Sequence, residues 1–163
     1  MAKQNELYLL LGTNLGDRLA NIQNATHLVV ERVGEVLKSS QLYQTAPWGV
    51  IEQPDFLNQV LKIKTALHPI DVLSVILKIE KQLGRERKEV WGARLIDIDI
   101  LYYADVVVTM SDLVIPHPQL HNRRFTLVPL VEIAPDYIHP KFKKNNQELL
   151  EECQDEGLAF VFS

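Results

Sequence analysis

The heptad Leu95-Ile96-Asp97-Ile98-Asp99-Ile100-Leu101 constrains this chain more than any other stretch of its length. Its β-branched residues and strict central alternation read as a strand, whose side chains point to opposite faces in turn. Ile96, Ile98 and Ile100 therefore share one face, and Asp97 and Asp99 the other. A slip of one residue would drive both carboxylates into the core, so the isoleucines fix the register. Two neighbouring aspartates with no basic residue between them repel each other, a cost that a divalent cation would relieve. Hard carboxylate oxygens suit Mg²⁺, which is commonly held by one or two carboxylates together with substrate phosphates. Taken alone, the pattern fits a solvated acidic strand face equally well.

The rest of the chain sets the frame for that strand. At 163 residues, one domain spanning 1–163 is expected. A net charge of −4 argues against a general nucleic-acid or membrane-surface binder, which needs a basic footprint. Cys153 is the only cysteine, so neither an intrachain disulfide nor a cysteine zinc site can form, in keeping with a reducing cytoplasm. The apolar run from Leu7 to Leu11 is far too short to span a membrane and lacks a signal-peptide layout. Cytoplasmic residence is the expectation.

Strand patterns cover Glu6 to Leu11, Val33 to Tyr43 and Phe56 to Thr65. Asp17 or Asn14 is placed to cap a helix with an apolar stripe through Leu19, Ile22, Thr26 and Val29. Pro69 and Gly84 bracket a second helix. Val106 to Val108 is a candidate hairpin partner of the aspartate strand. Arg124 to Ile133 suggests a short helix broken or begun near Pro129, and Asn146 to Cys153 a last one. Helices and strands mix without βαβ alternation, which predicts an α+β fold with a largely antiparallel sheet.

Several other residues carry possible chemistry. The second helix presents Val72, Leu73, Ile76, Leu77 and Leu83 on one face, with Glu80 in the middle of it. A carboxylate there must be paired, hydrogen-bonded or protonated. It either reaches solvent or a nearby arginine, or lines a pocket and accepts hydrogen bonds from a ligand. The stretch from Arg85 to Arg94 holds Arg85, Arg87, Lys88, Trp91 and Arg94 and leads directly into the aspartates. Cations beside a metal-binding pair suit a polyphosphate lying between them. Lacking an apolar pattern, the stretch is expected to act as a lid that orders on binding. His117 lies between Pro116 and Pro118, shortly before Arg123 and Arg124, and is a candidate phosphate contact. Phe56 and Phe125 are either core residues or the two sides of an aromatic sandwich, with Asn58 reading a heterocycle edge. The turn Gly12-Thr13-Asn14-Leu15-Gly16 is too short for a P-loop, lacks its lysine, and carries little functional signal by itself.

In this order the pieces resemble the 6-hydroxymethyl-7,8-dihydropterin pyrophosphokinase family. The resemblance rests on Arg85-x-Arg87 followed by Trp91-Gly92-Ala93-Arg94-x-x-Asp97-x-Asp99. Supporting matches are Gly12-Thr13-Asn14, Thr45-Ala46-Pro47, Gln53 to Asn58, Pro116-His117-Pro118 and Asn122-Arg123-x-Phe125. Together they run from about residue 8 to residue 135. The resemblance implies a ferredoxin-like α+β fold and transfer of an intact diphosphate from ATP to a pterin hydroxymethyl group. It implies that Asp97 and Asp99 hold two Mg²⁺ ions, and that Arg85 and Arg94 stabilise the moving diphosphate. Glu80, Arg87, Trp91, Arg94, Ile100, His117 and Arg123 would surround ATP. Thr45, Ala46, Pro47 and Trp48 would read the pterin edge, Asn58 would hydrogen-bond it, and Phe56 and Phe125 would stack it. Phe56 stands where a tyrosine is also found in the family, while Ala93 and Thr13 replace its usual proline and serine. A monomer is expected, with a homodimer as the alternative. A nucleotidyltransferase, or a non-catalytic ferredoxin-like nucleotide-binding module, is the competing assignment. Nucleotidyltransferases place their glycine turn close before the aspartates, whereas Gly12 and Asp97 are far apart here.

Overall fold

Every strand pairing among the described residues is antiparallel, as the lack of βαβ alternation predicts. The computed structural model describes residues 3–46, 54–84 and 95–163. In chain order it runs β1 (Asn5–Thr13), α1 (Arg18–Arg32), β2 (Glu35–Ser39), β3 (Tyr43–Thr45), β4 (Phe56–Thr65) and α2 (Pro69–Gln82). There follow β5 (Asp97–Tyr103), β6 (Val108–Thr109), β7 (Val114–Ile115), a 3₁₀ turn (Leu120–Asn122), α3 (Arg124–Ile133), α4 (Asn146–Glu152) and β8 (Ala159–Val161). The main sheet is ordered β5-β1-β4-β3-β8, with β2 also on β4, and helices cover it on both faces.

β1 lies in the middle of the sheet and is apolar on both faces, as burial from both sides requires. Behind it, Leu9, Leu11, Leu61, Ile63, Ile98 and Ile100 pack with Ile22 and Val29 of α1 and Val72, Ile76 and Ile79 of α2. In front, Tyr8, Leu10, Val60, Leu101 and Tyr102 pack with Leu127 and Leu130 of α3 and Leu149 of α4. Asp17 caps α1 by accepting from the Ala20 amide at 3.1 Å. Pro69 opens α2, and Gly84, at φ +93°, supplies the left-handed residue just past its end. Asn145 and Glu148 form a reciprocal capping box on α4.

The aspartate strand has one irregularity. Tyr8 pairs with Tyr102 but Leu9 with Ile100, so Leu101 is an extra residue on β5. Leu101 and Tyr102 consequently both serve the front core, and Tyr103 returns to the back one.

Four expectations change. The strand foreseen over residues 33–43 is split, because the Ser40 side chain takes over a main-chain role. Its amide donates to Val60 O and its Oγ accepts from the Val60 amide, both at 2.9 Å. Val106 to Val108 does not pair with β5. β6 closes on β7 through a local turn in which the Met110 amide donates to Leu113 O. α3 runs through Pro129, a buried residue whose missing amide costs one helical bond in mid-helix. Leu77 is 46% exposed, and Ile79 takes the inward place.

Candidate functional site

The β5-to-β1 register sets Asp97 opposite Gly12, Gly12 faces Asn58 on β4, and Asn58 faces Tyr43 on β3. These four residues form one row across the front of the sheet. Asp99 lies in the next row, opposite Leu10 and Val60, where the front core begins. Both aspartates are half-buried, while Ile98 between them is turned into the back core. Alternation thus gives the two carboxylates a common outlet, as the heptad predicts.

Gly12 matters through the close approach it allows. A Cβ at this position would lie 2.7 Å from Asn58 Oδ1, so any larger residue would push the amide aside. The same Asn58, 3% exposed, donates from Nδ2 to Thr45 Oγ1 at 2.8 Å, which fixes the orientation of its amide plane. Phe56 is half-buried on the same face of β4, and its ring edge is 3.9 Å from the same Gly12 position. Ala46, next to buried Thr45, is exposed. Asn14, 1% exposed, donates to Pro54 O at 3.2 Å, and Arg18 donates to Asp55 O at 3.0 Å. The start of β4 is thereby tied to the turn after β1. Gly12 and Asn14 were read from the sequence as parts of a weak turn signal. Their importance depends on cross-strand register, and the local string does not contain it.

The start of α3 borders the aspartates. Burial pushes the Arg123 guanidinium down, and the nearby Asp99 carboxylate opposes that shift. The Arg123 guanidinium carbon lies 5.7 Å from the centre of the half-buried Phe125 ring. His117 is held from two sides: its amide donates to Leu101 O at 3.0 Å, and its Nδ1 accepts from the Gln119 amide at 3.1 Å. Burial first, and Arg123 second, push the His117 imidazole down to about 4. At neutral pH it is therefore uncharged, with the hydrogen on Nε2 available to an anionic oxygen.

Two of the residues expected around ATP have buried side chains. The Ile100 side chain is 6% exposed and belongs to the back core, because it alternates with the aspartates. Glu80 is 4% exposed, and its Oε2 accepts from the Ile98 amide at 2.9 Å. Its inward position was legible from the helical period, but this main-chain partner was not. Arg85, Arg87, Trp91, Arg94, Pro47 and Trp48, together with the expected lid, lie outside the described residues. Among the described residues no group of three or more His, Cys, Asp or Glu side chains gathers as a closed metal cluster. The aspartate pair suits a hard cation that takes its other oxygens from phosphates and water.

Comparison with known proteins shows the family. The sequence pattern of the 7,8-dihydro-6-hydroxymethylpterin-pyrophosphokinase family matches residues 8–135. A 2-amino-4-hydroxy-6-hydroxymethyldihydropteridine pyrophosphokinase of Aquifex aeolicus is 45% identical over 142 residues, covering 87% of this chain and 88% of that protein. The folic acid synthesis protein fol1 of Schizosaccharomyces pombe is 39% identical over 162 residues, which is 99% of this chain but only 22% of the yeast protein. Among solved structures, a Plasmodium falciparum HPPK-DHPS triple mutant superposes with a TM-score of 0.79 at 21% identity, over 93% of this chain and 44% of that one. The chain therefore spans less than half of that Plasmodium chain. The class is that of an ATP-using transferase on a ferredoxin-like α+β sheet. The chain belongs to the 7,8-dihydro-6-hydroxymethylpterin-pyrophosphokinase family, which carries out the pyrophosphokinase step of folate biosynthesis.

Proposed function

We propose that this chain passes the β,γ-diphosphate of ATP intact to the hydroxymethyl oxygen of 6-hydroxymethyl-7,8-dihydropterin. The hydroxyl oxygen bonds to the β-phosphorus as the bond from that phosphorus to the α,β-bridging oxygen breaks. AMP leaves with the bridging oxygen, and the hydroxyl proton is lost. The observation that carries this reading is the row Asp97-Gly12-Asn58. It sets a carboxylate pair and a fixed amide about 10 Å apart, two interstrand spacings, which suits a bicyclic heterocycle with its side arm reaching the phosphates.

In this assignment Asn58, held by Thr45, reads the pterin edge, and Phe56 and Phe125 supply its apolar walls. Ala46, Pro47 and Trp48 belong to the same subsite. His117 donates from Nε2 to a phosphate oxygen, and Arg123 adds charge beside Asp99. Arg87, Trp91, Arg85 and Arg94 would close over the nucleotide, with Arg85 and Arg94 on the diphosphate in flight. Asp97 and Asp99 would hold two Mg²⁺ ions. When bound, those ions neutralise phosphate charge and favour deprotonation of the attacking alcohol. Such transfer depends mainly on positioning and charge stabilisation, so a covalent nucleophile is not needed. The chain would act as a single domain over 1–163, as a monomer in the cytoplasm.

Incubation with ATP, Mg²⁺ and hydroxymethyldihydropterin tests the assignment. Stoichiometric AMP and pterin diphosphate are expected. Release of inorganic diphosphate would indicate nucleotidyl transfer, and absence of turnover a binding module.

A further inference from the structure

Among the described residues β5 is at the edge of the main sheet, so alternate main-chain amides on its outer side meet no described strand. The Ile98 amide is one of them. It sits between the two aspartates and donates instead to Glu80 Oε2 at 2.9 Å. In an extended strand successive amides point to opposite sides, so a fixed outward Ile98 amide directs those of Asp97 and Asp99 toward β1. Glu80 is 4% exposed, and Ile98 is 5% exposed. The bond is therefore shielded from water, and losing its acceptor would leave a buried amide unpaired.

We propose that Glu80 is a positioning residue. Its carboxyl group accepts as a strand carbonyl would and fixes the pitch of β5 at the one peptide where tilt would move both aspartates together. Placed among the Ile76 and Ile79 side chains of α2, it couples the rigid back core to the carboxylates in front. This inference rests on the metal-holding role proposed for Asp97 and Asp99.

Glu80→Ala and Glu80→Gln in the intact chain test it, since glutamine retains an oxygen acceptor of equal reach. In Glu80→Ala, kcat should fall by about 10- to 100-fold, the equivalent of one buried donor left unpaired. Half-saturating Mg²⁺ should rise, and the KM for ATP should stay within about twofold. Glu80→Gln should restore most of kcat. By NMR, exchange of the Ile98 amide should be slow in the wild type and in Glu80→Gln, and fast in Glu80→Ala. A raised KM for ATP at unchanged kcat in both variants would overturn the proposal, as would fast Ile98 exchange in the wild type. Should Glu80→Ala fail to fold, slow wild-type exchange together with the rescued kcat of Glu80→Gln supports the proposal, and an unrescued Glu80→Gln overturns it. Calorimetric titration with Mg²⁺ separates the two readings. Wild-type protein without diphosphate transfer, but with Mg²⁺ binding that weakens in Glu80→Ala and recovers in Glu80→Gln, would fail the reaction and retain the positioning role.

Discussion

Behind the sheet, Leu9, Leu11, Ile98 and Ile100 lie against α1 and α2 in a closed apolar layer. In front, the same strands present Asp97, Asp99, Gly12 and Asn58, and α3 and α4 cover only the part around Tyr8, Leu10, Val60 and Tyr102. The back is built for area removed from water, which is non-directional and tolerant in detail. The front spends some of that gain on like charges, a fixed amide and a glycine that leaves room for it. Because neighbouring residues of one strand serve the two faces, a substitution should damage either stability or turnover according to its parity.

That contrast is open to direct attack. The largest effect is expected from Asp97→Ala and Asp99→Ala, each lowering Mg²⁺-dependent turnover by about 10³-fold, while thermal melting remains cooperative and close to wild type. Wild-type turnover in either variant would break the assignment. Leu9→Ala, on the opposite face, should do the reverse: it should cost about 2–5 kcal/mol of stability, with kcat per folded molecule near wild type in kinetics below the melting range. A smaller and more selective effect is expected from Gly12→Ala. Its methyl would displace the Asn58 amide, raising the KM for the pterin about tenfold and leaving that for ATP unchanged. Equal changes in both KM values would count against Asn58 as the pterin reader.

The mildest effect comes from acid. His139 is buried, its Nδ1 accepts from the Lys141 and Phe142 amides, and its ring meets Tyr102 of the front core. Burial is the main cause that pushes both His139 and His117 down to about 4. The unfolded chain takes up these protons near pH 6.5, before the folded one can. Their contribution is therefore fully present above about pH 6.5 and is lost as the pH falls toward 4. Hydrogen exchange across that range should loosen α3 and α4 before α1 and α2. Uniform loosening would remove the distinction between the faces.

Much of this architecture was legible because it is periodic. Phe56–Thr65 and Pro69–Gln82 announce themselves by alternation and by a Pro–Gly bracket, and the observed bounds agree. The parity of Asp97 and Asp99 was likewise written in the isoleucines. What escaped was set by contacts between distant segments. The split at Ser40 depends on Val60, the cradle at Gly12 on Asn58, and the task of Glu80 on Ile98. β8 escaped because three residues near the chain end become a strand only when β3 offers an edge. In each case the residue's surroundings decide, and a local window does not contain them.

The extra residue at Leu101 has a further consequence for how this strand can vary. It works as an expansion joint between two independently phased segments. Changes of length on the tyrosine side can be absorbed there, in the slack of an already irregular ladder. On the aspartate side there is no slack, and a single inserted residue would turn the carboxylates inward. Drift among relatives should accordingly collect downstream of the joint, while the spacing upstream of it stays fixed.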